Sequence, residues 1–320
     1  MIFRRGRARR LRKEPDPNFP GLDRGRADEL RSALRQALAE VGATMRFDGS
    51  HAIIGHPQRG RITVNLGHLV ADVARSQHPR APETMARTFV SAMLEDVAAE
   101  SLDTATLYAG LRLRVAPTTG LMPEEAEITA AATLHDFTAD TAATMVLDTA
   151  ASIQTMPLER LRHVDDLDTL VRAARTNLRE ELLGAPVVAR RHPGSEDHPG
   201  ARFWSFESGS YYTGSAALLL DEALATWAPE LDRSLGVVFA MPTRHVFLAR
   251  EVSLGEDLLE GLGRLAPVAA QLGSEQTHPI SPLLHLFHDG EITTLSDFDR
   301  EAGQLQITPT PYLIELISQR

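Results

Sequence analysis

The sequence predicts an α+β protein built on mainly antiparallel sheets with helices interspersed between the strands. Three observations carry this. Short runs of strand character come in pairs around turn residues, at 52–55 and 61–66, at 236–241 and 245–249, and at 283–287 and 292–295. Single segments of helical period stand between the pairs. Strands and helices do not alternate one for one, as a doubly wound parallel sheet would require.

The elements follow in order. Pro15, Pro17 and Pro20 separate a basic opening stretch from a segment in which Leu30, Ala33, Leu34, Ala37, Leu38 and Val41 recur at helical spacing, with an end near Gly42. The runs 52–55 and 61–66 then flank His56-Pro57-Gln58-Arg59-Gly60 as a hairpin. Pro82 suits a first helical position, with Met85, Phe89, Met93 and Val97 on one face. Residues 111–115 alternate Leu, Arg, Leu, Arg, Val, the pattern of a half-buried strand.

Residues 143–156 read as extended, and Leu167, Leu170, Val171, Ala174, Leu178 and Leu182 mark a long helix. Strands at 186–190 and 202–206 enclose a loop, 191–200, rich in His, Pro and Gly. Leu220, Ala223, Leu224 and Trp227 give another helical face, and a second hairpin turns at Pro242-Thr243-Arg244. Leu258, Leu262, Leu265, Ala269 and Leu272 line a further helix, after which 283–287 and 292–295 straddle an Asp289-Gly290 turn. The order hairpin, helix, strand thus occurs twice, as in a pseudo-duplication. The expected division is a tail at 1–20, an N-terminal α+β half at 21–157 and a C-terminal α+β half at 158–320.

Composition narrows the chemistry. The 320 residues contain no cysteine, which excludes disulfides, iron–sulfur ligation and thiol nucleophiles. Lys13 is the only lysine, so neither a Schiff base nor a phosphate-loop lysine is available in the body of the chain. The net charge of -10 is unevenly spread: residues 1–13 carry seven basic groups (Arg4, Arg5, Arg7, Arg9, Arg10, Arg12 and Lys13), leaving 26 basic against 43 acidic elsewhere. Two readings of that tail are open, a solvated disordered segment or a contact for nucleic acid or an anionic surface. Arginine abundance also has a simple origin in GC-rich coding. No apolar run approaches the roughly 20 residues that span a bilayer, and Glu14-Pro15-Asp16-Pro17 stands where a signal peptide needs its apolar core. A cytoplasmic location is expected.

Motif tests exclude more than they find. His285 and His288 would point to opposite faces of a strand, and no His-Glu-x-x-His occurs, so no metal is expected. Ser205, Ser208, Ser210 and Ser215 cluster near a turn, yet no Gly-x-Ser-x-Gly is present and nothing local supplies a base. Residues 209–215 imitate phosphate-loop spacing with Ser215 where the lysine belongs, one position after Gly214. Asp165, Asp166 and Asp168 read as acids at a helix start, and His135-Asp136 with Asp140 lacks the second His motif of a phosphohydrolase.

One constellation remains. Thr213, Gly214 and Ser215 precede a helical run and should leave backbone N–H groups free, beside the hydroxyls of Tyr211 and Tyr212. Arg244 and His245 in a hairpin turn, with Asn177 and Arg179 at the end of a helix, offer further donors for one anion. The alternatives are a plain cap with packed tyrosines, solvated turn residues, and an Arg179 paired with a nearby acid.

Three segments carry a family resemblance: Arg61-Ile-Thr-Val-Asn-Leu-Gly-His-Leu-Val70 leading into a helix, Arg175-Thr-Asn-Leu-Arg179 closing one, and the hairpin Val237-Val-Phe-Ala-Met-Pro-Thr-Arg-His-Val-Phe-Leu248. The chain resembles the YtpQ-like family of bacterial proteins of unknown function over residues 45–295. The resemblance implies an α+β cytoplasmic protein and implies no activity, cofactor or catalytic residue. The arginine-rich tail and the 191–200 loop depart from it. The expectation is a non-enzymatic binding or adaptor protein with no cofactor and an unidentified protein partner. The alternatives are a metal-independent enzyme for a small polar or anionic substrate, and a nucleic-acid-associated protein docking through its tail.

Overall fold

The computed structural model describes residues 13–19, 21–48, 51–56, 60–76, 78–94, 103–149, 153–275, 279–299 and 304–319. Helices interspersed with antiparallel sheets make it an α+β protein. The chain forms two compact units, one of Met1–Gly110 with Val146–Thr155 and one of Leu111–Met145 with Met156–Arg320.

In the first unit, α1 (Arg24–Glu40) starts where the Asp23 carboxylate accepts the Arg26 N–H at 2.8 Å. Its Leu30, Leu34 and Leu38 fall on one stripe, and all three are fully buried. Against the same core lie Ala52 and Ile54 of β2 (His51–His56), Val64 of β3 (Gly60–Asn65) and the partly buried Met45 and Phe47 of β1 (Thr44–Asp48), three strands paired antiparallel. Helices α2 (Gly67–Arg75) and α3 (Ala81–Leu94) add Val70, Val73, Val90 and Met93 to the same core. Met85 and Phe89 pack against it as their spacing predicts, whereas Val97 lies outside the described residues. Helix α4 (Thr104–Gly110) closes this stretch of chain.

In the second unit, β4 (Leu111–Pro117) alternates buried and half-buried positions up to Val115. Helix α5 (Pro123–Ala132), β5 (Thr133–Thr138) and β6 (Thr141–Asp148) follow, with β5 antiparallel to β6. Residues 146–148 of β6 already count with the first unit, where β7 (Ile153–Thr155) pairs with them and with Thr63 of β3. This division differs from the expected cut between 157 and 158. The reason lies in β4: its Leu111 carbonyl accepts from Asn177 Nδ2 at 2.9 Å, and its Val115 N–H donates to Ser215 Oγ at 3.0 Å, so segments distant in sequence hold it in the second unit.

Helix α6 (Leu158–Arg162) leads to α7 (Leu167–Gly184), which the Asp166 carboxylate caps by accepting the Thr169 N–H at 3.1 Å. The main sheet then runs in the order β13-β12-β10-β11-β9-β8. Its strands are β8 (Val187–His192), β9 (Phe203–Ser208), β10 (Val237–Ala240), β11 (Val246–Glu251), β12 (Leu284–His288) and β13 (Glu291–Thr294), every neighbouring pair antiparallel. One face carries Phe203, Val238, Leu248, Leu284 and Leu286 against Leu258, Leu262 and Leu265 of α9 (Gly255–Glu275) and Leu313 of α10 (Pro311–Ser318). The other carries an aromatic chain, with ring centroids 5.7 Å apart for Phe239 and Phe247, 6.2 Å for Phe247 and Phe206, and 5.4 Å for Phe206 and Trp227 of α8, a short helix at Leu220–Trp227. Each of these buried side chains contributes roughly 1.5–3 kcal/mol.

The β12–β13 connection is the two-residue turn that Asp-Gly announces, with φ of 51° at Asp289 and 81° at Gly290. The two hairpin, helix, strand blocks are wired differently, which corrects the idea of a duplication. In the later block the strand after the helix, β12, pairs with β10 of the hairpin. In the earlier block β3 has β7 as its other neighbour, three helices intervene among the described residues, and β4 falls in the other unit.

Candidate functional site

After β9 the chain turns through residues whose hydroxyls replace regular backbone bonds. Ser208 Oγ accepts the Ser210 N–H at 3.0 Å, Ser210 Oγ accepts the Tyr212 N–H at 3.1 Å, and Thr213 Oγ1 donates to the Ser210 carbonyl at 3.2 Å. This delivers a buried 3₁₀ helix, Thr213–Leu219, in place of the α-helical start expected from the sequence.

The β10–β11 connection lies against this turn. The Gly214 N–H donates to the Arg244 carbonyl at 2.9 Å, and a Cβ at residue 214 would stand 2.3 Å from the Thr243 oxygen, so only glycine allows the approach. His245 Nδ1 donates to the Ser210 carbonyl at 2.9 Å, so that nitrogen carries a proton. The Arg244 guanidinium sits over the Tyr211 ring, 4.2 Å from its centroid. Tyr211 meets Tyr212 and His245 edge-on, with centroids 5.6 and 6.3 Å apart. Both tyrosines are buried, whereas Arg244 and His245 are half-buried.

Four of the expected donors therefore change role. The N–H groups of Gly214 and Ser215 are not free: the first bonds Arg244, and the second donates to the Tyr212 carbonyl at 2.8 Å. Only the Ser215 bond is the three-residue return of a 3₁₀ turn, while Gly214 finds its acceptor on the other connection. Asn177 is a tether for β4 at Leu111, four residues along that strand from the Ser215 contact at Val115, or about 13 Å at 3.3 Å per residue. Arg179 pairs with Glu222, Nε to Oε2 at 2.5 Å, as its alternative reading had it. Of the seven basic residues of the tail, only Lys13 is among the described residues, and it is exposed; Arg4, Arg5, Arg7, Arg9, Arg10 and Arg12 lie outside them.

Beside the corner runs a polar chain that sequence patterns do not connect. Residues 279–281 lie along the end of β10, with Thr243 bridged to Pro279 and the Ser281 N–H donating to the Met241 carbonyl at 2.9 Å. Ser281 also hydrogen-bonds the Asp140 carboxyl, and its Oγ lies 3.4 Å from His285 Nε2, while His285 Nδ1 lies 3.2 Å from Thr294 Oγ1. Burial lowers the His285 pKa to about 3, so the ring is neutral. Burial raises that of Asp140, against the opposing bonds from Ser281 and Thr138. His285 is thus a neutral core histidine beside Phe239, and His288 stacks on Tyr312 at 3.9 Å.

The corner brings together a guanidinium on an aromatic face and an imidazole, held where two separate connections meet through backbone bonds. Such a group can hold a carboxylate or a phosphate by charge-assisted hydrogen bonds. No family model, curated protein or solved structure matches the chain.

Proposed function

We propose that the protein is a YtpQ-like binding protein of the bacterial cytoplasm, whose recognition site is the corner of Tyr211, Tyr212, Arg244 and His245 and whose ligand carries a carboxylate or a phosphate. The observation behind this is the Gly214 N–H bond to the Arg244 carbonyl, which joins two segments remote in sequence and sets the guanidinium over Tyr211. A cation already oriented by an aromatic ring loses less rotamer entropy when a ligand arrives. In keeping with an aqueous location, no helix among the described residues is long and apolar enough to cross a membrane. A thermal-shift screen of phosphorylated and carboxylated metabolites tests the reading: a stabilising compound should lose its effect on Arg244→Ala, with the unliganded melting temperature nearly unchanged. Stabilisation of both proteins alike would remove the site.

A further inference from the structure

In the sequence no base stands near Ser205; in the fold one does. Ser205 on β9 pairs in register with Arg190 on β8, and two residues further along β8 His192 reaches back across the ladder. His192 Nε2 lies 2.8 Å from Ser205 Oγ. The imidazole is held in place by Phe203, on which it stacks with centroids 4.4 Å apart and planes 13° from parallel. Arg264 of α9 lies over the Phe203 ring, its guanidinium carbon 5.4 Å from that ring's centroid.

We infer that Ser205 and His192 form a nucleophile–base pair that cleaves a carboxylic ester, an activity independent of the Arg244 corner. Ser205 Oγ attacks the ester carbonyl carbon as its proton passes to His192 Nε2. The tetrahedral oxyanion collapses, the carbon–oxygen bond to the alcohol breaks, and His192 returns the proton to the departing alkoxide. Water then attacks the acyl-serine, gives its proton to His192, and the acid leaves as Ser205 recovers that proton. Ester and water become acid and alcohol, with no other reactant.

The surroundings suit a base. Burial and the charges of Arg264 on α9 and Arg190 on β8 lower the His192 pKa, against the opposing charge of Glu207 on β9, so the ring is neutral at pH 7. Ser205 is buried on the sheet face that packs against α9, and the 193–201 connection is fastened to that helix. Arg264 Nη1 donates to the carbonyls of Pro193 and Ala201 at 2.6 and 3.0 Å, and the Glu260 carboxylate takes the Gly200 N–H at 2.9 Å and faces His198 Nδ1 at 3.0 Å.

A fluorophosphonate, which phosphonylates an activated serine with loss of fluoride, tests the pair on the full chain. The expected result is a Ser205 adduct, located by peptide mass spectrometry, in the wild type or in Glu260→Gln, where the connection is loosened. Ser205→Ala should give none, and His192→Ala should slow labelling by roughly 100-fold or more. Should His192→Ala fail to fold, the wild type suffices, since its labelling rate must rise with pH through a midpoint below 6.5. No adduct at Ser205 in either protein, or a rate indifferent to His192 and to pH, would overturn the inference.

Discussion

The guanidinium of Arg250 fills the space that a side chain at residue 261 would need. A Cβ built on Gly261 would stand 0.7 Å from Arg250 Nη1. Arg250 leaves β11 fully buried and spends its donors on the carbonyls of Glu251 at 3.0 Å and Asp257 at 3.2 Å and on Ser253 Oγ at 2.8 Å, so one cation fixes the start of α9 against the sheet. Burial lowers its pKa to about 10, and it stays charged at neutral pH.

Gly261→Ala is therefore expected to cost about 3 kcal/mol or more, because the new methyl overpacks the site and displaces a buried charge from its acceptors. Urea unfolding of the two proteins checks this. A loss below about 1 kcal/mol would mean that Arg250 has another place to go.

Gly214→Ala should separate the two walls of the candidate site. Its methyl would meet the Thr243 carbonyl, which belongs to backbone and cannot swing aside as a side chain would. A loss of about 1–3 kcal/mol is expected, together with loss of ligand stabilisation in the thermal-shift assay.

Asn177→Ala and Arg179→Ala separate support from recognition. The first removes a bond to the Leu111 carbonyl and should cost about 1 kcal/mol; the second breaks an exposed pair with Glu222 and should change stability by less than about 0.5 kcal/mol. Neither should alter ligand affinity in a calorimetric titration.

His285 gives the acid side of the stability profile a definite sign. Its folded pKa of about 3 lies below the ordinary 6.5, so the unfolded chain takes up the proton first. Its contribution is complete above pH 6.5 and is lost as pH falls from 6.5 towards 3, at about 1.4 kcal/mol per unit. Asp140 acts the other way: with its pKa raised, the folded state holds its proton longer and softens the loss above 3.8. Between pH 7 and 4.5, His285→Gln should thus lose roughly 2–3 kcal/mol less stability than the wild type, as denaturant unfolding at each pH would show.

What could be read in the sequence was what is local. The stripe Leu30, Leu34, Leu38 and the Asp289-Gly290 turn express themselves within a few residues, and both stand as expected. Strand β1 passes unnoticed because Thr44-Met-Arg-Phe-Asp48, although it alternates polar and apolar residues, offers only Met45 and Phe47 as a signal; pairing with β2 gives it its place. The pairing of Ile153 with Thr63, which returns β7 to the first unit, has no trace in periodicity. Arg244 and Tyr211 were legible as candidates because both stand at turns, but the fates of the Gly214 and Ser215 N–H groups depended on a 3₁₀ geometry and on a second connection. The base for Ser205 comes from the neighbouring strand, where only register can bring it.

The corner of Tyr211 and Arg244 as a ligand site is tested most directly by titrating one stabilising carboxylate or phosphate compound into the wild type and into Arg244→Ala by isothermal calorimetry. Losing charge-assisted bonds worth about 1.5–3 kcal/mol should weaken binding by roughly 10- to 100-fold, with both unliganded proteins melting at nearly the same temperature. Equal dissociation constants for the two proteins would contradict the assignment.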